Sequence, residues 1–228
     1  MVEPELVTRQ SKPLSILIYG QSGIGKTVLS STAPKPLFLD LEEGLLSVVD
    51  RGVSRIKVES GANLADAYTW LKEKNNNTFQ TVVLDSLSEL QRVLISEFVK
   101  QLGLPTADLR VWGLVLDKMW RIVKSFKQLP LHFIATSTVK SEKDEVTGII
   151  VQRPSFSGQF SEQVALYFDE VFYMDLVEKE EGKSERVLFT QPRSHFFAKD
   201  RSGKLDPIEI PDLNSIFKKI QGGNSNES

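Results

Sequence analysis

An α/β fold is what this sequence predicts: a mainly parallel central sheet, helices on both faces and a late antiparallel β pair. Three observations carry that expectation. Short apolar runs rich in β-branched residues alternate with stretches whose apolar residues recur at helical spacing, the pattern of βαβ units. The first such run leads directly into a glycine-rich turn and a helix start. Past residue 170, two apolar runs are joined by a charged turn, as in an antiparallel pair.

The elements follow in chain order. Ser-Ile-Leu-Ile-Tyr at 15–19 predicts a buried strand. A helix opens at 27 and must be short, because Pro34 and Pro36 stop it. Residues 36–41 read as a second buried strand ending in Glu42-Glu43-Gly44, and 55–58 as a weaker one. Leu64, Ala67, Tyr68 and Leu71 predict a helix over 62–74, ended by three asparagines. Thr-Val-Val-Leu-Asp at 81–85 is the clearest strand. Helices are expected over 88–102 and 114–128, with a loop at 103–113 between them. Residues 131–135 predict a strand. The stretches 136–140 and 148–153 flank a charged tip and fit an extended hairpin or a loose loop. A short helix at 161–167, an antiparallel pair at 170–177 and 186–190, and a helix at 213–220 complete the list.

Composition is compatible with one domain. The 228 residues are 40% hydrophobic and 25% charged, enough to bury a full core. We expect a flexible arm at 1–12, a single domain at 13–220 and a disordered tail at 221–228. The formal net charge of -2 provides no global basic field, so any nucleic-acid surface has to be local. The absence of cysteine removes disulfides, thiolate zinc sites and cysteine nucleophiles. No apolar leader and no run of membrane-spanning length is present, so the expectation is a cytoplasmic protein without a membrane partner.

The chemistry is concentrated at the ends of the strands. Gly20, Gln21, Ser22, Gly23, Ile24, Gly25, Lys26 and Thr27 fit the phosphate-binding loop: Gly, four residues, then Gly-Lys-Ser/Thr. Glycines let backbone N–H groups turn inward around phosphate oxygens, and the following helix start favours negative charge. Lys26 is expected to reach the β- and γ-phosphates of ATP, and the Thr27 hydroxyl to ligate Mg²⁺. Asp85 closes its strand and reads as the acid that holds the Mg²⁺ shell opposite Thr27, the alternative being a cap for the next helix. Glu42, just past the second strand, is the candidate base for an attacking water, with Glu43 as its competitor.

These spacings resemble the ATPase core of RecA-type recombinases. The resemblance rests on the phosphate loop, Phe-Leu-Asp-Leu-Glu at 38–42 and Val-Val-Leu-Asp-Ser at 82–86. It implies a RecA-like P-loop NTPase fold for 13–220, ATP hydrolysis with Glu42 as base, and Asp85 at the metal. The chain also resembles, over roughly 14–217, the compact phage nucleotide-binding proteins with a minimal RecA core, some of which are single-strand annealing ATPases. That implies slow, stimulated turnover, single-stranded DNA as a ligand and a single-strand DNA-binding protein as a further partner. RecA has a phosphate-sensing glutamine where this chain has Thr136; a hydroxyl there would sense phosphate through water. Lys199 and Arg201 form a Lys-x-Arg-x-Gly stretch resembling that of RadA and DnaB-type ring ATPases, where the basic pair reaches a neighbour's γ-phosphate. It implies a head-to-tail ring or filament. Arg193 is an alternative finger.

The expected DNA loops are 102–113 and 140–158. The second offers Lys140, Lys143 and Arg153, with Phe156 as a stacking ring, although Glu142, Asp144 and Glu145 offset its charge. Lys118, Arg121, Lys124 and Lys127 read as a solvated helix face, and His132 and His195 as structural. Two other readings compete with a recombination ATPase: a nucleotide-gated assembly or loader protein with little turnover, and a P-loop kinase for a small molecule.

Overall fold

A computed structural model of the chain describes residues 12–75, 77–143, 145, 148–157, 160–179 and 182–222. The expected arm lies outside these residues except for Lys12, as does the expected tail beyond 222.

Among the described residues ten strands form the sheet: β1 Ser15–Gly20, β2 Pro36–Asp40, β3 Ser54–Lys57, β4 Thr81–Asp85, β5 His132–Lys143, β6 Ile150–Pro154, β7 Glu170–Glu178, β8 Ser184–Phe189, β9 Lys199–Asp200 and β10 Ile208–Glu209. Their order is β10-β8-β7-β1-β5-β4-β2-β3, with β6 on β5 and β9 on β7. Strands β1 to β5 and β7 run parallel. Strand β8 returns antiparallel along β7, which is the expected late pair. Among the described residues six helices accompany the sheet: α1 Lys26–Ser30, α2 Gly61–Lys74, α3 Leu87–Gln101, α4 Leu109–Lys127, α5 Phe160–Tyr167 and α6 Leu213–Gln221.

Strand alternation divides the core into two layers. Leu17, Tyr19, Leu39, Leu84 and Phe133 face one side, where Leu64, Leu90, Met119 and Val164 of α2 to α5 cover them. Ile16, Ile18, Phe38, Val83 and Ile134 face the other, under Leu29 of α1 and Ile216 and Phe217 of α6. Helices on both faces explain why all of β1 and β4 is buried: neither surface is left to water. Among the described residues no helix is long and apolar enough to cross a membrane.

Two local expectations change and one alternative is decided. Helix α4 begins at Leu109, not at 114, because the Asp108 side chain caps it, accepting from the N–H groups of Arg110 at 2.9 Å and Val111 at 3.1 Å. Gly113 therefore lies inside the helix, at a propensity cost of about 1 kcal/mol that burial of Val111, Val115 and Met119 outweighs. Strand β5 runs through the end of the core to Lys143 and pairs with β6, so of the two readings of the stretch after 135 the structure has the hairpin. A 3-10 segment, Leu45–Arg51, follows Gly44, where no element was expected.

Candidate nucleotide-binding site

The phosphate loop leaves the end of β1, the fourth strand counted from β10, between β7 and β5. Gly20 is still paired with Met174 of β7, and a Cβ on it would stand 2.5 Å from the Met174 carbonyl oxygen. Gly23 and Gly25 adopt φ of 77 and 110, in the left-handed region open to glycine. The chain then enters α1 at Lys26. The Lys26 Nζ donates to the carbonyls of Gly20 at 3.0 Å and Gln21 at 2.9 Å, folded over its own loop. Burial lowers its pKa, and the charges of Asp85 and Glu42 partly restore it.

A cleft of ≈ 820 Å³ opens over the loop, lined by Gly23, Lys26, Thr27, Glu42, Asp85 and Arg186 among others. Asp85 points into it because Leu84 points the other way. It pairs in register with Asp40 of β2. Its Oδ2 accepts from Thr27 Oγ1 at 2.8 Å and its Oδ1 from the hydroxyl of Thr136 on β5. Burial raises the Asp85 pKa despite those two donors, and the Glu42 charge pushes it the same way. Thr136 is itself fully buried. Its hydroxyl is committed to Asp85, so the expected phosphate sensor meets the carboxylate first.

Glu42 sits past β2, where β2 and β4 are neighbours. Ser86, next after Asp85, donates its hydroxyl to Glu42 Oε1 and accepts from Glu89 N at 3.2 Å as the cap of α3. The Asp85–Ser86 peptide bond is cis. Glu43 turns away at φ 55 and pairs with Lys57 at 2.9 Å. Of the two adjacent acids, Glu42 is the one that lines the cleft.

Neither Ser86 nor Arg186 was expected here. Ser86 could have been read as a helix cap three residues before Glu89. Arg186 carries no local signal, because only the pairing of β8 with β7 brings it over the loop.

Lys199 and Arg201 are not brought to the loop. Strand β9 pairs with Glu170 and Val171 at the start of β7, whereas Gly20 pairs with Met174, roughly 13 Å further along. Lys199 Nζ donates to the Ala165 carbonyl at 3.0 Å and the Phe168 carbonyl at 2.6 Å, and Arg201 pairs with Asp169 at 3.0 Å. The Arg193 guanidinium lies over the Phe189 ring, 5.1 Å from its centroid.

The expected DNA residues divide. Lys140 and Arg153 face each other across the β5–β6 hairpin and share Glu142, at 2.5 and 3.6 Å. Lys143 is exposed near the tip. Phe156 corrects the expectation of a stacking ring. It is 3% exposed and packs edge-on against Phe160, at 4.9 Å, because α5 folds back over the hairpin base. Asp144 and Gly158 lie outside the described residues. His132 accepts from Leu14 N at 3.0 Å and stacks on Phe217, a structural role.

The donor set suits a hard divalent cation. Thr27 and Asp85 supply oxygens side by side at the foot of the cleft, as Mg²⁺ prefers when phosphates complete its shell. Among the described residues no group of three or more His, Asp or Glu side chains could hold a metal unaided.

Comparison with known proteins gives three findings. A family model described as AAA domain, AAA_24, matches residues 12–202. No curated protein matches the chain. Among solved structures, a crystal structure of the RadB recombinase aligns with a TM-score of 0.47 at 14% identity, covering 79% of this chain and 89% of that one.

Proposed function

The chain belongs to the AAA domain family AAA_24, matched over residues 12–202, and from that premise we propose that it binds Mg-ATP in the cleft over residues 20–27 and hydrolyses it. The observation that carries the reading is the convergence of Lys26, Thr27, Asp85 and Glu42 on one cleft from the C-terminal ends of β1, β4 and β2.

Lys26 exchanges the Gly20 and Gln21 carbonyls for phosphate oxygens, a stronger, charge-assisted set of acceptors. Thr27 and Asp85 would hold Mg²⁺, which withdraws negative charge from the phosphate oxygens when bound. Glu42, oriented by Ser86, takes a proton from water as the water oxygen bonds to the γ-phosphorus. The bond to the bridging oxygen breaks, and ADP and phosphate leave. Glu42→Ala should abolish phosphate release while ATP binding persists. Normal turnover in that variant removes Glu42 from this role.

The finer reading is that ATP governs contact with single-stranded DNA, in recombination or annealing. Thr138 lines the cleft and the same strand continues to Lys140 and Lys143, which supports a link between nucleotide and hairpin. Lys199 and Arg201 reach a nucleotide only from a second copy stacked head to tail, so turnover would be slow in an isolated chain. Phosphate release should rise with single-stranded DNA and the effect should fade as salt rises. No DNA effect at any salt favours the nucleotide-gated assembly protein instead.

A further inference from the structure

Arg186 lies on β8 in register with Leu176 of β7. Two residues on, Leu188 packs into the layer that contains α1, so Arg186 projects to the same side as the phosphate loop. Its Nε donates to the carbonyl of Ile24, in the middle of that loop, at 2.7 Å. A Cβ built on Gly25 would meet Arg186 Nε at 3.4 Å and Cδ at 3.5 Å, so the guanidinium lies directly against the loop backbone.

Its charge has no acidic partner among the described residues. Arg55, Arg92, Arg121 and Arg201 each pair with a carboxylate. Among the described residues no carboxylate comes within 4.0 Å of the Arg186 guanidinium, and its neighbour Glu185 pairs with Lys179. One N–H is used on the Ile24 carbonyl, and the remaining donors of the fork are suited to several oxygens of an anion. Among the described residues the charged side chains lining the cleft are Glu42, Asp85 and Glu185 against Lys26 and Arg186, so Arg186 is one of the two side-chain cations that face a polyanionic ligand there.

We propose that Arg186 is a phosphate-contacting residue of the nucleotide site, supplied by the same chain and acting beside Lys26. The inference rests on the nucleotide reading of residues 20–27. It is tested by equilibrium binding of Mg-ATP and of inorganic tripolyphosphate to the full chain across a salt series. Wild type, Arg186→Gln, Arg186→Lys and Lys26→Ala are compared, with thermal midpoints recorded. Arg186→Gln should weaken both ligands roughly tenfold to a hundredfold and flatten the salt dependence, at an unchanged midpoint. Arg186→Lys should recover part of the loss. Wild-type binding by Arg186→Gln, or loss of ATP with tripolyphosphate retained, overturns the proposal while leaving the nucleotide reading intact. A wild-type chain that binds neither ligand, with Lys26→Ala no different, ends both.

Discussion

Thr27 Oγ1 donates to Asp85 Oδ2 at 2.8 Å, joining the first turn of α1 to the C-terminal end of β4 across 58 positions of sequence. With Thr136 donating to the other oxygen, the carboxylate is held between two hydroxyls in a buried pocket. Such a group is arranged to accept a cation rather than to stabilise the empty fold, since burial raises its pKa.

That arrangement predicts opposite effects of one substitution on stability and on binding. Asp85→Asn keeps an acceptor for one hydroxyl, presents an N–H that the other hydroxyl can turn to accept, and removes the buried charge. Because the folded pKa is raised, the wild-type group loses stability as pH rises through it, and the neutral amide does not. At pH 8 the variant should melt no lower than wild type. The increase in thermal midpoint that Mg-ATP gives wild type should be absent.

Ser86 has two jobs that can be separated. Ser86→Ala should cost about 1 kcal/mol of stability through the lost α3 cap and lower kcat roughly tenfold or more, with KM little changed, because Glu42 loses its donor. Ser60→Ala is the control. Ser60 caps α2, accepting from Asn63 N at 3.0 Å, and lies away from the cleft lining. It should show the same loss in urea unfolding with normal kinetics. Equal kinetics in the two variants would make Ser86 a cap only.

The parts of the site legible in the sequence are those whose geometry is local. Gly20, Gly25 and Lys26 sit within one turn, and a strand ending in an acid announces Asp85 without knowledge of its neighbours. The Glu42–Ser86 contact requires β2 beside β4, and Arg186 requires β8 folded along β7. Neither adjacency is written in any short stretch. The start of α4 was hidden for a different reason: Pro105 and Gly113 look like loop punctuation, while the capping acid Asp108 lies between them. Phe156 misleads because its burial depends on α5, an element that follows it in the chain.

That burial separates core from surface in the hairpin region. Phe156→Ala should destabilise the fold by about 3–5 kcal/mol, read by urea denaturation. Lys143→Ala, on an exposed position, should leave the midpoint unchanged and alter only binding to an oligonucleotide. If Phe156→Ala melts like wild type, the packing of α5 on the hairpin base is wrong.

The far end of β7 carries a pH dependence of its own. Glu170 is 1% exposed and lies in register with Asp200 of β9. Its Oε1 accepts from Ser202 N at 3.1 Å, while Oε2 has no donor among the described residues. A proton on Oε2, shared with Asp200, resolves both the missing donor and the repulsion of adjacent acids. Burial first, and the Asp200 charge second, push the Glu170 pKa up to about 8. The unfolded chain loses that proton near 4.5, the ordinary value. Between these values the folded state holds a proton that the unfolded state lacks. The stabilisation is therefore complete below about 4.5 and falls by up to about 1.4 kcal/mol per pH unit until pH passes 8. Glu170→Gln keeps the shape and can donate to Asp200 at every pH. Asp85 titrates in the same sense in both proteins, so the difference between them isolates Glu170. Unfolding free energies from pH 5 to 9 should decline more steeply for wild type than for the variant, and parallel curves would show that Glu170 is charged throughout. The same pair holds the turn that carries Arg201, because Asp200 also accepts from Gly203 N at 2.8 Å and Leu205 N at 3.1 Å. Loss of the shared proton should therefore loosen this turn first, seen as faster amide exchange at Gly203 and Leu205 above pH 8 in wild type but not in Glu170→Gln.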